Sequence, residues 1–187
     1  TRGLAVDLYT SCEAVGLQAE YIRDGLVWDD WANNVERLLS SGQFRCIHVM
    51  CTINALCLTT LDQFLECMLQ WKTEFGHSAL NFTLNILRFP SFQSPIVLGR
   101  SFALGTPGGL QAWYDANKNS EFLQEHEVRH IERLLDYLRE VDSPHAGAAD
   151  LAQLQRDFKA FYTQYDARRG KDFRAAFPEL VEWYDSL

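Results

Sequence analysis

No apolar run in this sequence approaches the roughly eighteen residues of a membrane span, and its first residues lack the basic-then-apolar pattern of a secretory leader. Those absences predict a soluble, cytoplasmic chain with no membrane partner. Positive charge is also scarce. With 17 lysines and arginines against 25 acids, the formal charge is −8, which provides no basic field to draw in phosphate backbones or anionic lipid. No nucleic-acid partner is expected, and Arg168-Arg169-Gly170-Lys171 is the one local basic cluster. Cysteine is present, but not at metal-ligand spacing. Cys12, Cys46, Cys51, Cys57 and Cys67 are odd in number, and the gaps of four, five and nine residues between the last four match neither a zinc ribbon nor an iron–sulfur loop. Buried, reduced thiols are the expectation.

What is present is an ordinary globular composition: 187 residues, 47% apolar and 22% charged, enough for one substantial core and against disorder. Val6, Leu8 and Thr10 alternate with Asp7 and Tyr9 ahead of Ser11-Cys12-Glu13, a strand that ends in a polar turn. Trp28 to Ser40 reads as an amphipathic helix with Trp28, Trp31, Val35, Leu38 and Leu39 on one side, closed by Ser41-Gly42. Phe44 to Asn54 is a second strand, Thr60 to Phe75 a second helix closed by Gly76, and Leu80 to Leu87 a third strand.

The order β-α-β-α-β predicts an α/β fold in which right-handed crossovers make the strands parallel and place the helices on one face. Such a unit is half of a (β/α) barrel or part of an open sheet. It leaves two unpaired edges and an uncovered inner face, to be closed by a missing segment, a partner chain or the C-terminal helices folding back. Beyond Arg88-Phe89-Pro90 a loop over 91–109 leads to helical patterns near 110–117, 120–141, 148–167 and 177–186. The expected division is 1–90, the strand-bearing half-barrel, and 91–187, a loop and helical extension packed on it.

Three constellations carry candidate chemistry. His126-Glu127-Val128-Arg129-His130 matches H-E-x-x-H, in which two histidines one turn apart bind zinc and the glutamate activates water. However, Val128, Ile131, Leu135 and Leu138 form the apolar stripe of this helix, so the histidines are expected to point away from it into solvent, and Arg129 sets a cation beside them. A zinc hydrolase is the least favoured reading. The second constellation is Ser11, Glu13 and Arg23. A hydroxyl and a carboxylate at a strand's C-terminal end suit a ribose or an amino group, and a following arginine suits a carboxylate. The plainer alternative is a capped strand end with a surface Glu20/Arg23 pair. The third is Asn54 after the second strand with Asn85 and Arg88 after the third, which are either loop caps or ligand contacts at the same mouth.

The Ser11-x-acid turn, Glu20-Tyr21-Ile22-Arg23-Asp24-Gly25, Trp28, Thr52-Ile53-Asn54, Asn85-Ile86-Leu87-Arg88-Phe89-Pro90, Tyr165-Asp166-Ala167-Arg168-Arg169-Gly170 and Phe177-Pro178-Glu179-Leu180 together resemble radical S-adenosylmethionine enzymes. More narrowly, they resemble the phage- and bacteria-associated twitch-domain members. The resemblance implies three parallel strands of a partial (β/α)6 barrel followed by a helical C-terminal extension. It implies Ser11 and Glu13 near the ribose or amino group of S-adenosylmethionine, Arg23 on its carboxylate, Asn54 from the next strand, and backbone around Leu87 near the adenine. Glu13 stands where that family has Asp, and Ala14 where it has Gly.

The family's Cys-x3-Cys-x2-Cys loop, which holds the [4Fe–4S] cluster that reduces S-adenosylmethionine, does not occur in this sequence. The resemblance therefore implies the C-terminal part of a radical enzyme. It would be inactive alone, completed by a missing N-terminal half or a partner chain that brings the cluster and covers the open sheet. The substrate, by family analogy, is a peptide or protein from which hydrogen is abstracted. A non-catalytic interaction protein with a vestigial S-adenosylmethionine pocket is the alternative.

Overall fold

The computed structural model describes residues 6–98, 109–140 and 148–187. A parallel sheet of order β1-β2-β3 is formed by β1 (Asp7–Ser11), β2 (Cys46–Ile53) and β3 (Leu80–Ile86). The chain is thus α/β, mostly helical, with each strand beside its sequence neighbour. Asp7 lies opposite Cys46, and Ile47 opposite Leu80, which sets one register across all three strands. The period-2 pattern explains the faces: Ile47, Val49, Cys51 and Ile53 of β2 and Leu80, Phe82 and Leu84 of β3 are buried.

Helices α2 (Trp28–Ser41) and α3 (Leu61–Phe75) cover that face. Gly42, left-handed at φ 61°, terminates α2 where a side chain would be strained. Trp31 donates its indole N–H to Thr10 Oγ1 at 2.9 Å and packs on Phe64, which ties α2 to β1 and α3. Between β1 and α2 lies a helix absent from the sequence expectation, α1 (Gly16–Ile22). Its short length leaves too little periodicity to register, and it forms because Ala19 is buried in the core of the sheet while Tyr21 and Gln18 are buried against the C-terminal region.

Helices α4 (Leu110–Asn117) and α5 (Glu125–Glu140) join the same core as the sheet through Leu110, Trp113, Ile131, Leu134, Leu135 and Leu138. Helix α5 begins five residues later than Ser120, because residues up to Gln124 form turns in which Leu123 N–H bonds Ser120 O. Helix α6 (Ala148–Arg169) then packs α7 (Phe173–Ala176) and α8 (Val181–Ser186) into a second, aromatic core around Tyr21, Phe158, Tyr162, Phe173 and Phe177. The helix expected over 177–186 is shortened to α8, because Pro178–Leu180 forms a 3-10 turn ahead of it, and α7 lies before the expected span. The basic cluster is partly spent holding this module: Arg169 pairs with Asp24 at 2.7 Å, and Lys171 donates to Glu20 O at 2.5 Å.

The outer edge of β3 is closed by side chains rather than by a strand. Alternate residues of β3 present their peptide groups outward. Along that edge Leu80 O accepts from Lys72 Nζ at 2.8 Å, Phe82 N–H donates to Glu127 Oε1 at 3.0 Å, Leu84 N–H donates to His130 Nδ1 at 3.0 Å, and Leu84 O accepts from Arg133 Nη2 at 2.6 Å. The expectation that the histidines of this helix face solvent is therefore corrected for His130, and Glu127 is fully buried. The apolar stripe lies against the core, but the polar side chains at its border reach the strand edge, which no helical pattern reveals.

Candidate functional site

The C-terminal ends of the three strands and the sheet face opposite α2 and α3 form the mouth at which the sequence placed its candidates. Tyr9 and Ser11, His48, Met50 and Thr52, and Asn81, Thr83 and Asn85 alternate outward on that face. It is open: Tyr9 is 65% and Met50 44% exposed, and Tyr9 stacks on its cross-strand neighbour His48 with ring centroids 4.6 Å apart. Among the described residues the C-terminal helices do not cover it, and β1 is bonded only to β2.

Glu13 follows β1 and is 3% exposed. Its Oε2 accepts from Arg23 Nη2 at 2.6 Å and Nε at 3.2 Å, and from Thr52 N–H at 3.4 Å. Burial pushes the Glu13 carboxyl above its ordinary range, while the Arg23 guanidinium and the Thr52 amide act against that rise. Glu13 and Arg23, expected to contact different groups of a ligand, here pair with one another. The Glu20/Arg23 surface pair is not formed. Glu20 instead accepts the Trp28 N–H at 3.0 Å, capping the start of α2.

Ser11 sits half-buried at the last position of β1, and among the described residues its hydroxyl makes no hydrogen bond to protein. Asn54 is buried as a cap. Its Oδ1 accepts the Leu56 and Cys57 N–H groups at 2.8 and 3.2 Å, starting the 3-10 turn Leu56–Thr59. Of the two alternatives left open for Asn54, the loop cap is what the structure holds, and its amide is directed at the chain. Leu87 donates its N–H to Ile53 O at 2.8 Å, so its carbonyl side alone remains for a ligand. Asn85 and Arg88 are exposed at the end of β3.

The cysteines are poor cluster ligands. Cys12, Cys51 and Cys57 are fully buried beside Glu13, and Cys12 is pushed up to about 11, chiefly by burial. The thiols of Cys51 and Cys57 rise well above their ordinary value for the same reason. Among the described residues no group of three or more His, Cys, Asp or Glu side chains is placed to hold a metal ion. His126 and His130 meet edge to face at 6.0 Å, but His130 Nδ1 and both Glu127 oxygens are engaged by β3, Lys72 and the Gln124 N–H. No protein-family model, curated protein or solved structure matches this chain. Among the described residues no helix is long and apolar enough to cross a membrane.

Sequence reasoning missed Lys72. It lies in the last turn of α3, is 0% exposed, and pairs with Glu127 at 2.8 Å. Burial drives its ammonium below the usual lysine value, and the Glu127 carboxylate counters that. The signal available was a single lysine among Leu65, Met68 and Trp71 on the apolar side of α3.

Proposed function

We propose that this chain forms the last three strands of a partial (β/α)6 barrel in a radical S-adenosylmethionine enzyme and contributes half of the cofactor pocket. One observation carries the reading. The β3 edge is sealed by Lys72 and α5, while among the described residues nothing pairs with the outer edge of β1 and the polar inner face is exposed, as in a barrel segment that is extended only on its β1 side. The motif resemblance around Ser11, Arg23, Asn54 and Leu87 supports the cofactor.

The donor set at the strand ends suits the cofactor in part. The Ser11 hydroxyl and the Thr52 and Asn85 side chains supply neutral groups of the kind that bind ribose and amino functions. Arg23 is 29% exposed and uses Nε and Nη2 on Glu13, so its Nη1 remains for a carboxylate while Glu13 fixes the guanidinium plane. When bound and reduced, S-adenosylmethionine supplies hydrogen abstraction. This chain's residues bind and orient it, and the described cysteines do not fit a [4Fe–4S] cluster, so a cluster-bearing N-terminal half or partner chain supplies that part. The substrate in this reading is a peptide or protein.

A non-catalytic interaction protein is the second reading, favoured by the mutual satisfaction of Glu13 and Arg23. Calorimetric titration of S-adenosylmethionine into the chain, alone and combined with a cluster-bearing N-terminal half, separates the two. Binding in the combined sample supports the enzyme reading. No binding in either sample overturns it in favour of the interaction protein.

A further inference from the structure

At the C-terminal end of β3 an open cleft of about 240 Å³ is lined by Asn85, Ile86, Arg88 and Arg133. It shares both arginines with a neighbouring cleft of about 410 Å³ that runs along α5 past Arg129, Glu132, Asp136 and Tyr137. The charges around this pair of clefts are not equally committed. Glu132 accepts the Tyr114 hydroxyl at 2.6 Å, Asp136 pairs with Arg139 at 2.8 Å, and Arg129 pairs with Glu125 at 3.1 Å. Among the described residues neither Arg88 nor Arg133 is within ion-pair distance of a carboxylate.

Both guanidinium groups are nonetheless held in place by neutral partners. Arg133 donates one Nη2–H to Leu84 O at 2.6 Å, and Arg88 lies over the Tyr137 ring at 5.4 Å from its centroid. A guanidinium has five N–H donors in a fixed fork, so each arginine keeps donors directed elsewhere. Two permanently charged, pre-oriented forks beside an exposed amide are the arrangement that binds an oxyanion bidentately. In a chain of formal charge −8, such a site stands out against its surroundings.

We infer that Arg88 and Arg133, with Asn85 lining the same cleft, form a binding site for an oxyanion, either a phosphate group or a carboxylate. The site lies at the same end of the sheet as Ser11 and Asn54, so under the function proposed above it would hold the acidic group of the substrate. That placement rests on the enzyme reading, whereas the anion site itself does not.

The test is nuclear magnetic resonance titration of the whole chain with inorganic phosphate and, separately, with sodium acetate, following the arginine Nε–H signals at low ionic strength. Saturable shifts are expected at Arg88 and Arg133, with the affinity of Arg88→Gln about tenfold or more weaker. Tighter phosphate binding assigns a phosphate group, and tighter acetate binding assigns a carboxylate. Because Arg133 also braces β3, Arg133→Lys serves as the second variant. It retains charge but loses the fork, and is expected to weaken binding while circular dichroism stays unchanged. No saturable shift with either anion, or equal affinity in wild type and Arg88→Gln, overturns the site. Anion binding without any S-adenosylmethionine binding would overturn the enzyme reading and leave this site standing.

Discussion

His130 shows how one side chain's protonation state is written into the fold. Its Nδ1 accepts the Leu84 N–H, so the imidazole is neutral with its proton on Nε2. Burial depresses its affinity for a proton, as do Arg133, His126 and Arg129 around it, while Glu127 acts in the opposite sense. The unfolded chain therefore binds this proton more readily than the folded one. The stability contributed by neutral His130 is complete above the ordinary histidine value of about 6.5 and is lost as pH falls through its lower folded value. Melting temperatures measured between pH 7.5 and 5 should fall on acidification, and His130→Gln, which keeps an acceptor but does not titrate, should flatten that slope. An unchanged slope would remove His130 as its source. Glu13 has the opposite sign: its raised carboxyl makes the ionised form cost stability as pH rises, offset by Arg23.

At the scale of elements, α5 does the work of a strand. A helix interior cannot donate peptide groups to a neighbour, so the β3 edge is satisfied by side chains three residues apart, Glu127, His130 and Arg133, with Lys72 of α3 beside them. The Lys72–Glu127 pair joins α3, α5 and β3 where no water reaches. Lys72→Met strands a buried carboxylate and should cost about 3–5 kcal/mol in urea denaturation. The double variant Lys72→Met/Glu127→Leu should recover part of that loss, though it leaves the Phe82 amide without its acceptor. A single-variant loss under about 1 kcal/mol would mean that the pair does not hold the elements together. Why the H-E-x-x-H match misleads is also visible at this scale. Its Glu127 and His130 are engaged by the β3 edge and Lys72, in a three-residue spacing that Arg133 continues and His126 does not share.

At the scale of the whole molecule the consequence is an asymmetric sheet, sealed at β3 and, among the described residues, open at β1 and on its inner face. Met50, 44% exposed in the middle of that face, tests whether the face is an interface. Met50→Lys should leave the stability of the chain alone within about 0.5 kcal/mol. If the proposed enzyme reading holds, it should abolish association with a cluster-bearing N-terminal half, read by size-exclusion chromatography with light scattering; unchanged association would place the contact elsewhere.

The three strands, helices α2 and α3, the parallel pairing, the helices on one face and the polar strand ends were legible in residues 6–87, because period-2 and period-3.6 patterns report which face each element buries; α1 was too short to leave such a pattern. The sequence grouped Ser11, Glu13 and Arg23, but not the Glu13–Arg23 pair itself, which forms because α1 lies between the two and returns Arg23 to the end of β1. Asn54 was recognisable as polar at a strand end, but its role as a cap depended on the path of the turn after it. What only the tertiary structure decided are the contacts between residues far apart in sequence: Lys72 with Glu127, Leu84 with His130, and Tyr21 with Asp166. Periodicity is a property of one element. The partner of a buried charge, or of a strand's free edge, is set by how elements from distant parts of the chain pack.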